Sequence, residues 1–254
     1  MSKVRKISMS LIALMLSLIT LIPISSLPAE AASVSYRSAM NLSLGNNPIS
    51  TVSKTGSCYV WISSKSNLKC GKTTSGAKVF AKNVNGAVTN GTYIFYSVYS
   101  YSSGSAATTI YRKKCSGGSA VKISKFNSLC RLVGYYNNYF YIIKENEWPD
   151  YGLYKVKKGS TSMKRVAASA GSIDNASSYG KYIALKGFAS DVSNKAMYLY
   201  NVSSGKLKKI TGTCYSVPVI RGSKIYYSIV TSTVYPFSTK SMVYNISTGK
   251  FSSN

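Results

Sequence analysis

The sequence predicts an all-β fold, a β-propeller of four-stranded antiparallel blades, from three observations. Apolar and aromatic anchors recur about every 43 residues, at Leu68, Tyr111, Tyr154, Tyr198 and Val243. The segments around them are short and rich in tyrosine, valine and isoleucine, which favour strands. Turn residues separate these segments, and beyond residue 31 none shows a helical period. A fixed period of this length is typical of a repeat architecture.

Each repeat has a first tyrosine-rich strand that follows Gly or Asn. These strands are centred on Tyr59, Tyr93, Tyr139, Tyr182 and Ile225. Their apolar residues are consecutive, as in the segment YIFY that begins at Tyr93, so both faces of the strand are apolar. Such a strand suits a sheet that is stacked between two neighbouring sheets.

The other strands of a repeat follow from the same alignment. The second strand carries the anchor, a Gly or Ser turn follows, and a lysine-rich strand such as KLKKIT comes next. A further segment, such as CYSVPVIRG, leads into the next repeat. We therefore expect an inner strand, two middle strands and a charged outer strand, whose lysines suit an exposed edge.

Five repeats account for residues 32–254, so we expect five blades. A sixth, diverged blade within 32–55 and an open array of β-sandwich sheets are the alternatives. The last repeat ends early, at GKFSSN. We expect the segment Val34–Met40 to pair with the outer edge of the last blade and so close the ring.

The repeat pattern resembles a known superfamily over residues of roughly 50–254. Units of the form G-x-Y-I-x-Y, L-Y-x-x and S-G-K-x-K-K-I are similar to TolB-type and low-density-lipoprotein-receptor-type propeller repeats. The resemblance is strongest to secreted bacterial propellers of that kind. The receptor-type Y-W-T-D signature is replaced here by Ile94-Phe95-Tyr96-Ser97. The resemblance implies protein or glycan binding rather than catalysis, and it supplies no functional residue.

The N-terminus has the pattern of a secretory signal peptide. A basic start, an apolar stretch and the small-residue site Ala29-Glu30-Ala31 predict a signal over residues 1–31, with cleavage after Ala31. An uncleaved membrane anchor is the alternative, but Pro23 interrupts the apolar stretch. We expect a secreted or cell-wall-associated monomer, with no integral membrane span once the signal is cleaved.

The chain is strongly basic, with 32 Lys and Arg residues against 6 Asp and Glu residues and a formal net charge of +26. A surface with this charge attracts polyanions. For an exported protein we expect an anionic envelope polymer, an anionic glycan or an acidic protein as partner, and no specific nucleic acid. The alternative is that the lysines only keep a β-rich protein soluble.

Five cysteines leave at least one thiol outside any disulfide. Cys58 and Cys70 lie on the two arms of one predicted hairpin and are the candidate disulfide; Cys115 and Cys130 are also close in sequence. Small buried side chains are the alternative role for all five. The spacings are not those of a zinc site and the chain has no histidine, so we predict no metal and no cofactor.

The residues for catalysis are scarce. Without histidine, the commonest general base is missing. A glycosidase needs two carboxylates across a cleft. Beyond residue 31 the acids are few, and three of them crowd the segment KENEWPDYG, which suggests a solvated hairpin tip. We therefore predict that the protein is not an enzyme.

The hairpins between the two middle strands carry aromatic residues that differ from repeat to repeat. We predict a non-catalytic binding protein that uses these rings on one face of the propeller. The alternative is a carbohydrate-active enzyme, a glycosidase or a polysaccharide lyase, in which acids or a Tyr–Arg or Tyr–Lys pair converge at the axis. The predicted binding residues are Tyr99, Tyr101, Trp148, Phe188, Tyr235 and Phe237.

Overall fold

The described part of the chain is all-β, as predicted. The computed structural model describes residues 36–41, 53–55, 58–145, 151–187, 194–232 and 238–253. Over these ranges it contains 22 strands and one 3-10 helix, Ala168–Ala170. No helix within them has the length and apolar character that crossing a membrane requires. The predicted signal and its cleavage after Ala31 lie outside these ranges and stay predictions.

Within the described ranges the strands form two short leading strands and five successive units of four. The leading strands are β1 (Arg37–Ser38) and β2 (Met40–Asn41). The first unit is β3 (Ser53–Thr55), β4 (Cys58–Ile62), β5 (Leu68–Gly71) and β6 (Lys78–Ala81). The second is β7 (Val84–Thr89), β8 (Tyr93–Ser102), β9 (Ser105–Lys114) and β10 (Gly117–Phe126). The third is β11 (Cys130–Tyr136), β12 (Tyr139–Lys144), β13 (Gly152–Lys157) and β14 (Met163–Val166). The fourth is β15 (Ile173–Tyr179), β16 (Tyr182–Gly187), β17 (Lys195–Asn201) and β18 (Lys206–Cys214). The fifth is β19 (Val219–Arg221), β20 (Lys224–Ser232), β21 (Ser238–Asn245) and β22 (Phe251–Ser253).

Each unit is an antiparallel meander in which every strand pairs with the next. All five anchors of the sequence repeat lie in the third strand of their units. The first strands of the second to fifth units lie beside one another, and β7 lies beside β4 of the first unit. We call the first strand of each unit its inner strand. The outer strands expose their lysines, among them Lys122 and Lys164, as expected for an edge that must not pair with other chains.

The leading strand β1 lies between two inner strands. Arg37 pairs with Thr89 of β7 on one side and with Tyr179 of β15 on the other. The backbone N–H of Ala39 donates to the carbonyl of Ala87 at 2.7 Å, and the Gly180 N–H donates to the carbonyl of Tyr36 at 2.8 Å. One nine-stranded sheet thus contains the second unit, β1 and the fourth unit.

The expected role of Val34–Met40 is therefore wrong. The described part of this segment does not extend the outer strand β22; Arg37–Ser38 pairs with inner strands, and Met40–Asn41 pairs in parallel with β4. The inner strands β7 and β15 each have a neighbour in their own unit on one side only, so their other edges have unpaired backbone groups. The two residues of β1 form hydrogen bonds with backbone groups of both β7 and β15. At the outer strand β22 they could pair with one strand only.

The core lies in layers between consecutive units. In β12, Phe140 and Ile142 pack toward the second unit, whereas Tyr141 and Ile143 pack toward the fourth. The prediction that the tyrosine-rich strand of each repeat is apolar on both faces is thus confirmed for β12. Similar buried clusters join the first unit to the second and the fourth to the fifth. In the described ranges no buried cluster joins the fifth unit to the first.

Candidate functional site

Polar residues occupy the start of three inner strands. Asn85, Arg131 and Asp174 are each the second residue of their strands, β7, β11 and β15. The pairing register is interrupted at Val84/Gly86 and at Ile173/Asn175. Irregularities of this kind re-aim side chains and are frequent beside functional sites. The repeat thus brings three polar positions to one end of the inner strands.

Glu145 joins this group from the end of β12. Its backbone N–H donates to the carbonyl of Leu129 at 2.8 Å, which places Glu145 next to the start of β11. Its Oε1 lies 2.8 Å from Nε of Arg131. Nε makes no aligned hydrogen bond, so this contact is an ion pair. The Tyr99 hydroxyl donates to Oε2 of the same carboxylate.

A second ion pair lies beside the first. Lys186 Nζ is 3.3 Å from Oδ2 of Asp174. Arg131 connects the two pairs, because its Nη1 donates to Oδ1 of Asn175 at 3.2 Å and its Nη2 donates to the backbone carbonyl of Asp174. We call Tyr99, Arg131, Glu145, Asp174 and Lys186 the acid–base cluster.

Neighbouring hydrogen bonds fix the strands that carry this cluster. The Ser97 hydroxyl donates to Oδ1 of Asn85 at 2.7 Å and accepts from the backbone N–H of Leu132 at 3.1 Å. The side-chain amide of Asn85 donates to the carbonyl of Cys130 at 3.1 Å. Together these bonds tie β7 and β8 to the start of β11, so the position of Arg131 is set by two units.

The two acids of the cluster are more accessible than the two cations. Side-chain exposure is 23% for Glu145 and 31% for Asp174, but 16% for Arg131 and 9% for Lys186. Burial lowers the pKa of the Arg131 guanidinium, and the charge of Asp174 partly offsets this. The cluster therefore presents two carboxyl groups to solvent above two largely buried cations.

Burial raises the pKa of the Glu145 carboxyl to about 7, and the negative charge of Asp174 acts in the same direction. A carboxylic acid with a pKa near neutrality can hold a proton and release it under ordinary conditions, as a general acid must.

Glu145 is expected to make stability depend on pH. Its pKa is 4.5 ordinarily and about 7 in the fold, so the protonated acid favours folding. This contribution is complete below the ordinary pKa and is lost as pH rises through the folded one. Relative to Glu145→Gln, we expect the wild type to lose about 2 kcal/mol of unfolding free energy between about pH 5 and about pH 8. Urea denaturation of both proteins at each pH measures this loss, and parallel pH profiles would contradict it.

The structure places two of the predicted binding residues. Tyr99 is half-buried and bonded to Glu145, whereas Tyr101 is 70% exposed beside the Ser103-Gly104 turn between β8 and β9. The remaining predicted rings lie outside the described residues: Trp148, Phe188, Tyr235 and Phe237. Their role in binding stays a prediction.

Sequence reasoning missed most of the acid–base cluster. It assigned Glu145 to a solvated hairpin tip, which is wrong, because Glu145 is bonded to Leu129 and paired with Arg131. Aligning the inner strands would have shown that positions 85, 131 and 174 are equivalent and polar. The candidate disulfide also stays a prediction: Cys58 and Cys70 are thiols in the structure, with sulfurs within 4.8 Å of each other.

Comparison with known proteins gives structural similarities only. No protein-family model matches the sequence, and no curated protein matches it. A puromycin-hydrolysing peptidase of Mycobacterium tuberculosis is similar with a TM-score of 0.47 and 8% identity, over 74% of this chain and 32% of the peptidase. An oligogalacturonate lyase in complex with manganese is similar with a TM-score of 0.44 and 11% identity, over 77% of this chain and 61% of the lyase. This chain thus spans about a third of the peptidase and less than two thirds of the lyase. Neither similarity identifies TolB-type or receptor-type repeats, so that resemblance stays a prediction.

Proposed function

We propose that the protein is a carbohydrate-active enzyme that hydrolyses an anionic glycan at the acid–base cluster. The observation that carries the proposal is Glu145, a partly exposed carboxyl with a pKa raised to about 7, bonded to Tyr99 and placed near a second carboxyl, Asp174. The enzyme alternative predicted from the sequence requires that acids, or a tyrosine and an arginine, lie close together. Tyr99, Arg131, Glu145 and Asp174 lie close together in the cluster. Two carboxyl groups in different environments are the usual catalytic groups for hydrolysis of a glycosidic bond.

Each residue of the cluster has a role in this reaction. Glu145 gives its proton to the glycosidic oxygen as the bond from that oxygen to the anomeric carbon breaks. Asp174 accepts a proton from the water whose oxygen bonds to the anomeric carbon. Tyr99 and Arg131 hold Glu145 in place, and Lys186 holds Asp174.

Hydrolysis fits the cluster better than lyase chemistry does. A lyase acting on a uronate needs a cation to neutralise the sugar carboxylate. In the cluster both cations, Arg131 and Lys186, are already paired with acids of the chain. The attraction for an anionic glycan comes instead from the net charge of +26 and the exposed lysines of the outer strands.

The finer features of the sequence prediction belong to the same proposal. We propose that the five units close into a five-bladed propeller of the TolB-like or receptor-like kind. We also propose that residues 1–31 direct export and that the protein acts as a monomer at the cell envelope. The five layered units and the buried contacts between consecutive units support the propeller.

Replacing Glu145 with glutamine tests the proposal. The amide keeps the shape of the side chain but holds no transferable proton, so we expect kcat to fall by about 100- to 10,000-fold with little change in KM. The assay is release of reducing ends from polygalacturonate and from purified anionic wall polysaccharide. Asp174→Asn is expected to act similarly. Val79→Ala, an exposed position in the first unit, which contributes no residue to the cluster, serves as the control. Undiminished activity in Glu145→Gln, or no reducing ends from any anionic glycan with the wild type, would refute the enzyme assignment.

A non-catalytic binding protein is the second candidate, and the exposed Tyr101 favours it. An aromatic ring that is 70% exposed near a hairpin turn is available for stacking on a sugar. In that case Tyr101→Ala weakens binding of the same polysaccharides to the immobilised protein, and Glu145→Gln leaves binding unchanged. Glycan binding without bond cleavage in the wild type would favour this candidate.

A further inference from the structure

Three cysteines from two units meet at one point between them. Cys58 begins β4, Cys70 lies in β5, and Cys115 directly follows β9 of the second unit. Their sulfur atoms all lie within 4.8 Å of one another. Cys58 and Cys70 are buried and Cys115 is half-buried. We call these three residues the thiol cluster; it does not depend on the proposed enzymatic function.

The strand register of the first unit produces this convergence. Cys70 lies opposite Val60, so Cys58, two residues before Val60, is on the same face of the sheet and diagonal to Cys70. Cys115 enters from the second unit, where its backbone N–H donates to the carbonyl of Thr92 at 2.8 Å. The cluster therefore forms only when the first two units pack together.

Local hydrogen bonds orient Cys115. Its sulfur lies 3.7 Å from the Thr89 hydroxyl, which is itself held by donating to the carbonyl of Tyr93 at 2.9 Å. Cys70 donates through its sulfur to the backbone carbonyl of Cys115 at 3.9 Å. The contact with Cys70 lowers the pKa of the Cys115 thiol to about 7, while Cys115 and burial raise the pKa of Cys70. These contacts hold the Cys115 sulfur beside those of Cys58 and Cys70.

We propose that Cys58, Cys70 and Cys115 bind a single thiophilic metal ion, Zn²⁺ or Cu⁺, as three thiolate ligands. A tetrahedral zinc ion with Zn–S bonds of about 2.3 Å spaces its sulfurs about 3.8 Å apart. The observed spacing, within 4.8 Å, needs a closure of about 1 Å or less, which side-chain rotation provides. Thiolates select soft or borderline metals, so zinc and cuprous ions fit this site and magnesium and calcium do not.

This site cannot be recognised from the sequence alone because its ligands are not arranged as a short motif. Cys58 and Cys70 are separated by 11 residues, and Cys70 and Cys115 are separated by 44. Only the packing of β5 against the end of β9 brings the third ligand in. A disulfide between Cys58 and Cys70 would use two of the ligands and is the competing use of the same sulfurs.

The test uses the full chain, purified with a reductant that does not bind metals. Co²⁺, a spectroscopic substitute for zinc, is titrated in one arm, and Cu⁺ is titrated without oxygen in another. We expect a thiolate-to-metal charge-transfer band that saturates at one equivalent in the arm of the preferred metal. The arms separate zinc-like from copper-like binding by competition against chelators of known affinity.

Single Cys→Ser variants show whether the cluster is the site. Replacement of Cys58, Cys70 or Cys115 is expected to weaken binding by more than the roughly 100-fold that loss of a supporting group costs. Cys214→Ser, a buried cysteine between the fourth and fifth units, is the matched control and should bind normally. If a cluster variant fails to fold, alkylation of the wild type decides: bound metal should protect Cys58, Cys70 and Cys115 but not Cys214. Absence of the band in both arms, its persistence in Cys115→Ser, or a Cys58–Cys70 disulfide that forms instead of metal binding would overturn the proposal.

Discussion

Replacing Tyr36 with alanine is expected to destabilise the protein by about 3 to 4 kcal/mol, the usual cost of removing a buried aromatic ring. The Tyr36 ring is 7% exposed. Its centre lies 4.8 Å from that of Tyr135 and 5.6 Å from that of Phe95. It therefore fills a space that both the second and the third unit line, and no neighbour can close that space without moving strands.

Urea denaturation of the wild type and of Tyr36→Ala measures this loss. Tyr101→Ala is the matched control, since it removes the same side chain from a position that is 70% exposed. We expect the control to change stability by less than about 0.5 kcal/mol. Equal stabilities for Tyr36→Ala and Tyr101→Ala would show that the leading segment does not pack between the units.

Replacing Gly86 with alanine is expected to cost about 3 kcal/mol, at the upper end of the usual range for an added methyl group that has no room. A Cβ at this position would lie 2.3 Å from the carbonyl oxygen of Leu132 and 2.7 Å from its nitrogen. Both atoms belong to the backbone of β11, so relief requires the inner strands of the second and third units to separate.

Gly212→Ala is the control for this change. A Cβ at Gly212, in β18, meets no atom within 4 Å, so we expect a change within about 0.5 kcal/mol. Thermal and urea unfolding of both variants give the comparison. A Gly86→Ala protein as stable as Gly212→Ala would mean that β7 and β11 are not in close contact.

The repeating residues made the strands predictable. Tyr93 and Leu68 lie in the strands assigned to them because their segments have their own β propensity and turn boundaries, which depend on local sequence. Phe140 and Tyr141 are buried on opposite faces of their strand. This burial could also be predicted from local sequence, because consecutive apolar residues leave the strand without a polar face.

The acid–base cluster could not be predicted in this way because it depends on contacts between strands and between units, not on local sequence. Glu145 meets Arg131 only through the return of β12 to the start of β11, and Tyr99 reaches it from the second unit. The place of Arg37 was missed for a related reason. A segment of two residues has no periodicity, and its position is decided by which strand edges are left unpaired.

The position of β1 also determines the order in which the fold can be completed. The backbone N–H of Ser178 donates to the Ser38 hydroxyl at 2.9 Å, across a separation of 140 residues, whereas the strands within a unit are joined by short connections. Strands within a unit pair quickly because they are close in sequence. A contact between distant residues forms more slowly because closing the long loop between them costs conformational entropy. The pairing of β1 with both β7 and β15 is therefore expected to follow formation of the fourth unit, and it joins the second and fourth units through one strand. A chain that ends before Ser178 lacks the end of β15, so we expect β1 to pair in it with β7 alone.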